Sequence, residues 1–278
     1  IARDWLSHAG EANAADDLHR MVFGQPLPPQ VEAEEKARQA RLEAAPPLSL
    51  MRPRSRCPSC GHGIRWFENI PILSYVALRG KCSACGTRIS ARYPVVEGVT
   101  AAFFALCAHR WGLSPQAAAW CAFASILICQ FLIDFDTQLL PEELNYPLLW
   151  LGLLASTIGW TVAPAQSLWG AALGYFVLWF VAAGFKLLRG IEGMGVGDFK
   201  LLAALGAWFG AKFLVAIVLM ASVVGAVIGI LLLIVGRLAN REVPMPFGPY
   251  LAGAGLVLLV IGPQRAAALF PFAFPFGG

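Results

Sequence analysis

The chain has 278 residues, 58% apolar and only 14% charged, with a mean hydropathy of +0.63, far from an average soluble domain. A net charge of +4, without basic residues alternating with stacking aromatics, excludes nucleic acid as a partner. The charges are uneven: 13 of the 21 Lys and Arg and 10 of the 17 Asp and Glu fall in the first 97 residues, and the chain beyond residue 97 is nearly all compatible with a bilayer.

Residues 1–54 read as a polar, Ala-rich N-terminal segment. The Glu32/Lys36 and Glu34/Arg38 spacings between Val31 and Ala45 support a solvated helix, and the Pro-containing stretches at Gly24–Gln30 and Pro46–Pro53 read as linkers. The first fifty residues hold no apolar run long enough for a signal peptide or a membrane helix. With Ile1 as its first residue, the chain is expected to be a fragment or to start in the cytosol.

Residues 55–93 form a compact segment with four of the seven cysteines, paired as Cys57-Pro58-Ser59-Cys60 and Cys82-Ser83-Ala84-Cys85 with 21 residues between the pairs. Two such thiolate knuckles supply four soft ligands to a tetrahedral ion, and an all-thiolate set leaves no open position for water. A structural zinc site is therefore expected; the alternative is a reduced or redox-active pair of CxxC sequences. His62 reads as a surface residue rather than a ligand. Cys107, Cys121 and Cys129 are scattered in apolar segments and read as packed apolar residues, so the pattern is not a secreted disulfide framework.

From Pro94 onward, apolar blocks alternate with short loops. Seven are read, at about 94–109, 115–133, 144–163, 167–187, 196–210, 213–236 and 247–262, and most approach the ~20 residues that cross ~30 Å of hydrocarbon. The fifth, short and rich in Gly and Ala, is the weakest. With the cysteine segment in the cytosol, Lys186, Arg189, Lys200, Arg237 and Arg241 lie on that side and only Arg110, Lys212 and Arg265 on the other. Tryptophans near block ends, among them Trp111, Trp120, Trp150 and Trp208, suggest an interfacial belt.

Two carboxylates stand where a helix meets the cytosolic face: Asp134, in Ile133-Asp134-Phe135-Asp136, and Asp198, after Gly193-Met194-Gly195-Val196-Gly197. An ionisable group at membrane depth is costly and points to function. Two blocks separate the pair, and an even number of crossings returns the chain to the same side. Two close carboxyls resist joint ionisation, so one keeps a proton while the other activates water, the pairing that peptide hydrolysis needs. Gly193, Gly195 and Gly197 permit close backbone approach and are expected to leave room for an extended substrate; helix packing is the competing role. Without a preceding strand they are no dinucleotide fingerprint. Asp136, Glu142 and Glu143 either support the pair, attract the basic end of a substrate, or are simply solvated. Glu97, near the start of the first block, is equally a functional or a structural carboxylate.

At these residues the sequence resembles the bifunctional type IV prepilin peptidases, the prepilin leader peptidase/N-methyltransferases. The resemblance runs through Ser55-Arg56-Cys57-Pro58, Cys60, Trp66, Glu68-Asn69-Ile70-Pro71, Leu78-Arg79-Gly80-Lys81-Cys82 and Arg92-Tyr93-Pro94-Val95-Val96-Glu97. It continues through Ile133-Asp134, Leu140-Pro141, Gly193-Met194-Gly195, Asp198-Phe199-Lys200-Leu201 and Pro246-Phe247-Gly248-Pro249-Tyr250, and spans about residues 52–262. It implies Asp134 and Asp198 as catalytic aspartates, zinc on Cys57, Cys60, Cys82 and Cys85, and prepilin or pseudopilin substrates of type IV pili or type II secretion. Those substrates carry a short basic leader ending in Gly before an apolar helix. It also implies methyl transfer from S-adenosylmethionine to the new N-terminus and residence in the bacterial inner membrane, with the active site at the cytoplasmic face. One departure is clear: family members usually open with a transmembrane helix bearing a Gly-Ser-Phe-Leu-Asn-Val-like segment, and residues 1–50 contain nothing comparable.

The expectation is thus an all-α polytopic membrane protein of about seven transmembrane helices. A polar segment (1–54), a cytosolic four-cysteine zinc module (55–93), a transmembrane aspartyl peptidase domain (94–262) and a tail (263–278) succeed one another, with prepilins and membrane lipid as partners. The main rival is a non-enzymatic membrane assembly or transport protein whose aspartates form an ion path and whose zinc module is a docking element. A second is a methyltransferase that has lost proteolysis, which the intact aspartate pair disfavours.

Overall fold

The computed structural model describes residues 55–190, 195–234, 246–262 and 265–266, with the side chains of 189 and 233 excepted. The helix and linkers expected before residue 55 lie outside these, as does Gly193. The chain divides into two compact units between Pro94 and Val95.

In the first unit the two cysteine pairs fold alike. Cys57 N–H donates to His62 O, Gly61 N–H to Cys57 O and Ile64 N–H to Ser55 O; twenty-five residues on, Cys82 N–H donates to Thr87 O, Gly86 N–H to Cys82 O and Ile89 N–H to Gly80 O. Each knuckle closes on one bridge, Arg56 to Gly63 and Lys81 to Arg88. The turns need positive φ where Gly61 (71°) and Gly86 (70°) stand, a conformation glycine adopts without a Cβ clash. Between the knuckles lie a 3₁₀ turn, Trp66–Asn69, and a short helix α1, Leu73–Ala77.

Seven helices come next: α2 (Arg92–Trp111), α3 (Pro115–Thr137), α4 (Glu142–Thr157), α5 (Pro164–Arg189), α6 (Val196–Phe209), α7 (Leu214–Ile234) and α8 (Gly248–Ile261). No extended strand occurs among the described residues, and each helix falls on one apolar block of the sequence. Their ends reflect local chemistry. Ser114 caps α3 by accepting the Ala117 N–H, Pro115 starts it, and Gln138 stops it in the left-handed region at φ 57°. α3, α5 and the stretch Ala211–Leu232, which takes in most of α7, are long and apolar enough to cross a membrane. α4, α6 and α8 have 16, 14 and 14 residues.

α6 is the centre of the second unit. From Leu201 to Phe209 every residue is buried, because α4, α5, α7 and α8 all pack on it. Close approach depends on small residues: a Cβ on Gly174 of α5 would lie 2.6 Å from Leu202 O, and Gly170 and Gly206 press backbone to backbone. This is the small-xxx-small packing that joins helices in lipid, where apolar burial supplies little drive. On α4, a Cβ on Gly152 would come within 2.6 Å of the Trp208 indole, whose Nε1 donates to Leu148 O at 2.8 Å. Trp120 packs against Trp208 with centroids 4.8 Å apart. Trp120 and Trp208 are therefore core residues rather than members of an interfacial belt, whereas Trp150 is exposed.

Candidate active site and metal centre

Asp134 occupies the last turn of α3 and Asp198 the first turn of α6. Both are buried, at 3% and 7% exposure, and they are the buried carboxylates among the described residues. Asp198 is the third residue past the N-cap Gly195, and the Gly195 amide acts on its carboxylate. Asp134 is the charged neighbour that Asp198 feels. The Asp134 Oδ2 atom is buried without a well-formed hydrogen bond, although the Gly248 amide acts on the same carboxylate.

Leu140 and Gly248 join the two halves. A Cβ on Gly197 would lie 2.7 Å from Leu140 Cβ, and one on Gly248 would meet Leu140 Cδ1 at 2.8 Å and collide with Asp134 Oδ2. The N-terminal ends of α4, α6 and α8 thus converge on the end of α3. Gly195 and Gly197 differ in what surrounds them. A Cβ on Gly195 would meet nothing within 4 Å, whereas Gly197 is packed against Leu140, and neither glycine has positive φ. Close approach, not an unusual backbone angle, is what Gly197 supplies.

Around the pair, Lys200 donates to Glu142 and stands 5.1 Å from the Tyr146 ring, tying α6 to α4. One turn before Asp134, the buried Gln130 donates Nε2 to Asn145 Oδ1 at 2.6 Å. Sequence reasoning assigned no role to Gly248, Lys200, Gln130 or Asn145. The available signal was parity: two further helices separate Asp198 from the Gly248-Pro249 helix start, which returns it to the same end.

An apolar cavity of about 750 Å³ opens between α3, α7 and α8. Phe131 and Phe135 of α3, Val223 and Ile228 of α7, and Tyr250 and Val257 of α8 line it. Phe135 and Pro249 in its lining are the chain neighbours of Asp134 and Gly248, and neither carboxylate lines it.

In the first unit the thiols of Cys57, Cys60, Cys82 and Cys85 lie within 4.8 Å of one another, with Cys57 and Cys85 Sγ 3.8 Å apart. A tetrahedron of Zn–S bonds near 2.3 Å requires sulfurs about 3.8 Å apart, so the donor set fits a metal. Hydrogen bonds from the Cys60 and Ser59 amides hold Cys57 below the usual thiol range, and the Thr87 hydroxyl, with the Thr87 amide, pushes Cys85 down to about 6. At Cys60 the His62 amide is the strongest single influence and favours thiolate. Hydrogen bonds to Cys85, Cys57 and Cys82, with burial, still push it up to about 12. His62 stands outside the cluster, 3.5 Å from Glu68.

The class defined by this fold and site is a polytopic helical membrane protein with two buried carboxylates and a four-cysteine cluster that could hold a metal. Residues 33–111 match the family described as Bacterial Peptidase A24 N-terminal domain and residues 121–230 the Type IV leader peptidase family. The chain is 46% identical over 256 residues, 92% of itself and 88% of the relative, to a prepilin leader peptidase/N-methyltransferase of Stutzerimonas stutzeri. A protein of the same name from Pseudomonas aeruginosa is 47% identical over 89% of this chain and 87% of its own. One from Aeromonas hydrophila is 48% identical over 78% and 74%. The chain belongs to the type IV leader peptidase family. No solved structure matches it.

Proposed function

We propose that this chain is a membrane-embedded endopeptidase that removes the basic leader from type IV prepilins or pseudopilins, with Asp134 and Asp198 as its catalytic pair. The observation that carries the reading is the meeting of two buried carboxylates from separate helix ends, in a chain 46–48% identical to proteins named for this activity. One carboxylate takes a proton from water as its oxygen attacks the scissile carbonyl carbon. The other, protonated, donates to the carbonyl oxygen, and a proton from the pair then passes to the departing amine. No covalent enzyme intermediate is needed.

The substrate reaches the pair laterally. Its apolar helix lies along the cavity between α3, α7 and α8, its basic leader stays in the cytosol, and open space at Gly195 admits the chain at the cut. Seven crossings, a cytosolic module at 55–93, a peptidase domain at 94–262 and an inner-membrane site facing the cytoplasm agree with the distribution of Lys and Arg. Zinc on Cys57, Cys60, Cys82 and Cys85 would hold the module's two knuckles together and supply no chemistry to the cut. The relatives' name extends the proposal to methylation of the new N-terminus, with S-adenosylmethionine as methyl donor. An ion path would place carboxylates at several depths, whereas the two buried ones stand at adjoining ends of α3 and α6.

Cleavage of a prepilin-like peptide in detergent, with and without methyl donor, tests the proposal. Asp134→Asn and Asp198→Asn each lower turnover by ~10²–10⁴-fold while the protein remains inserted. Turnover like the unsubstituted protein in either variant would falsify that residue's place in the pair.

A further inference from the structure

The segment between the two cysteine knuckles turns apolar side chains outward. Trp66 is 81% exposed, Leu73 69% and Val76 68%, with Phe67, Ile70 and Ile72 also exposed. Among the described residues of the module only Cys57 buries its side chain, so these residues do not form a core. The surface charge has one sign: Arg56, Arg65, Arg79, Lys81, Arg88 and Arg92 are all exposed. Glu68, the sole carboxylate from 55 to 93, is turned onto the module, accepting the Arg65 amide at 2.8 Å and facing His62.

We propose that this strip docks on the anionic face of the bilayer that the same chain spans, with Trp66, Leu73 and Val76 entering the headgroup boundary and the flanking basic residues holding lipid phosphates. An exposed aromatic-aliphatic strip ringed by Lys and Arg is the chemistry of an interfacial segment. Its uniform positive charge complements anionic headgroups rather than a second basic surface, which excludes another copy of the module. Trp66 stands 49 positions before Pro115, where α3, the first helix long and apolar enough to cross a membrane, begins, so the strip is tethered to the bilayer and a weak contact is enough. The proposal rests on the chain spanning a membrane, not on the aspartate pair.

The test uses the full chain in detergent and in nanodiscs of phosphatidylcholine, alone or mixed with phosphatidylglycerol. Amide exchange across residues 66–77 slows about tenfold in the anionic discs relative to detergent, and salt removes much of the gain. Acyl-brominated lipid quenches tryptophan emission more in the parent protein than in Trp66→Phe. Arg65→Gln and Arg79→Gln, with metal content unchanged as a check on folding, each weaken the protection about fivefold. Leu73→Ser with Val76→Ser abolishes it. Equal exchange in detergent and in both discs overturns the proposal, as does protection that appears only when a prepilin peptide is added, which assigns the strip to substrate. Peptide cleavage in detergent, measured in parallel, reports on the aspartate pair independently.

Discussion

At Gly248 one added methyl group is enough to displace the Asp134 carboxyl. A Cβ there would collide with Asp134 Oδ2 and press on Leu140 at 2.8 Å, so the buried carboxyl would have to shift. If Asp134 acts as proposed, Gly248→Ala is expected to cut cleavage at least tenfold, an overpacking cost of about 1–3 kcal/mol directed onto that carboxyl. Gly184→Ala, where a Cβ would meet nothing within 4 Å, serves as the control. Parent-like turnover by Gly248→Ala would show that the carboxylate moves freely. The two aspartates were legible in the sequence because charge in an apolar run is rare and costly. Gly248 was not, since Gly-Pro announces only a helix start, and what it faces is set by the packing of α3 and α8. The same holds for Lys200, read only as one cytosolic charge until its contact with Glu142 was in place.

At the scale of elements, the apolar blocks located the helices, but the weakest block turned out to be the central one. Its glycines lower helix propensity and its small side chains shorten the apolar run, yet they allow α5 to pack on α6 at backbone distance. Gly174→Val, which places its Cβ 2.6 Å from Leu202 O, is expected to destabilise the fold by about 1–3 kcal/mol, read as a lowered unfolding midpoint in detergent. An unchanged midpoint would mean that α5 and α6 are less tightly apposed than the structure has them. The cysteine spacing pointed to four candidate ligands, while the matching turns came from a pattern visible only when the two stretches are aligned, Cys57-x-x-Cys60-Gly61 with Ile64 and Cys82-x-x-Cys85-Gly86 with Ile89. Protein purified under reducing conditions without chelator is expected to carry one zinc per chain, and Cys82→Ser to lose it at lower chelator concentration. Metal-free protein from that preparation would rule out the zinc site.

For the whole molecule, the position of the carboxylates at one end of an apolar helix set makes bilayer depth a ruler for choosing the bond. Asp134 closes α3, a helix long and apolar enough to cross the hydrocarbon, and the cavity beside it continues along α7 and α8. A substrate helix lying there would present to the pair whatever residue stands where its apolar stretch begins. A charged residue inserted just after the cut must then enter the apolar cavity, at ~2.5–3.5 kcal/mol on insertion scales. At ~1.4 kcal/mol per tenfold, that lowers the correctly seated population by roughly a hundredfold. Trimming the far end of the leader leaves this register intact and is expected to cost much less. A bulky residue in place of the last leader Gly falls between the two, since space is open at Gly195 but closed at Gly197 by Leu140. The three prepilin variants, assayed in the same membranes, are expected to be cleaved in the order shortened leader, bulky replacement, charged insertion. Equal cleavage of all three would mean that neither depth nor the width of the passage selects the bond, and the substrate would have to reach Asp134 and Asp198 by a route other than the lipid.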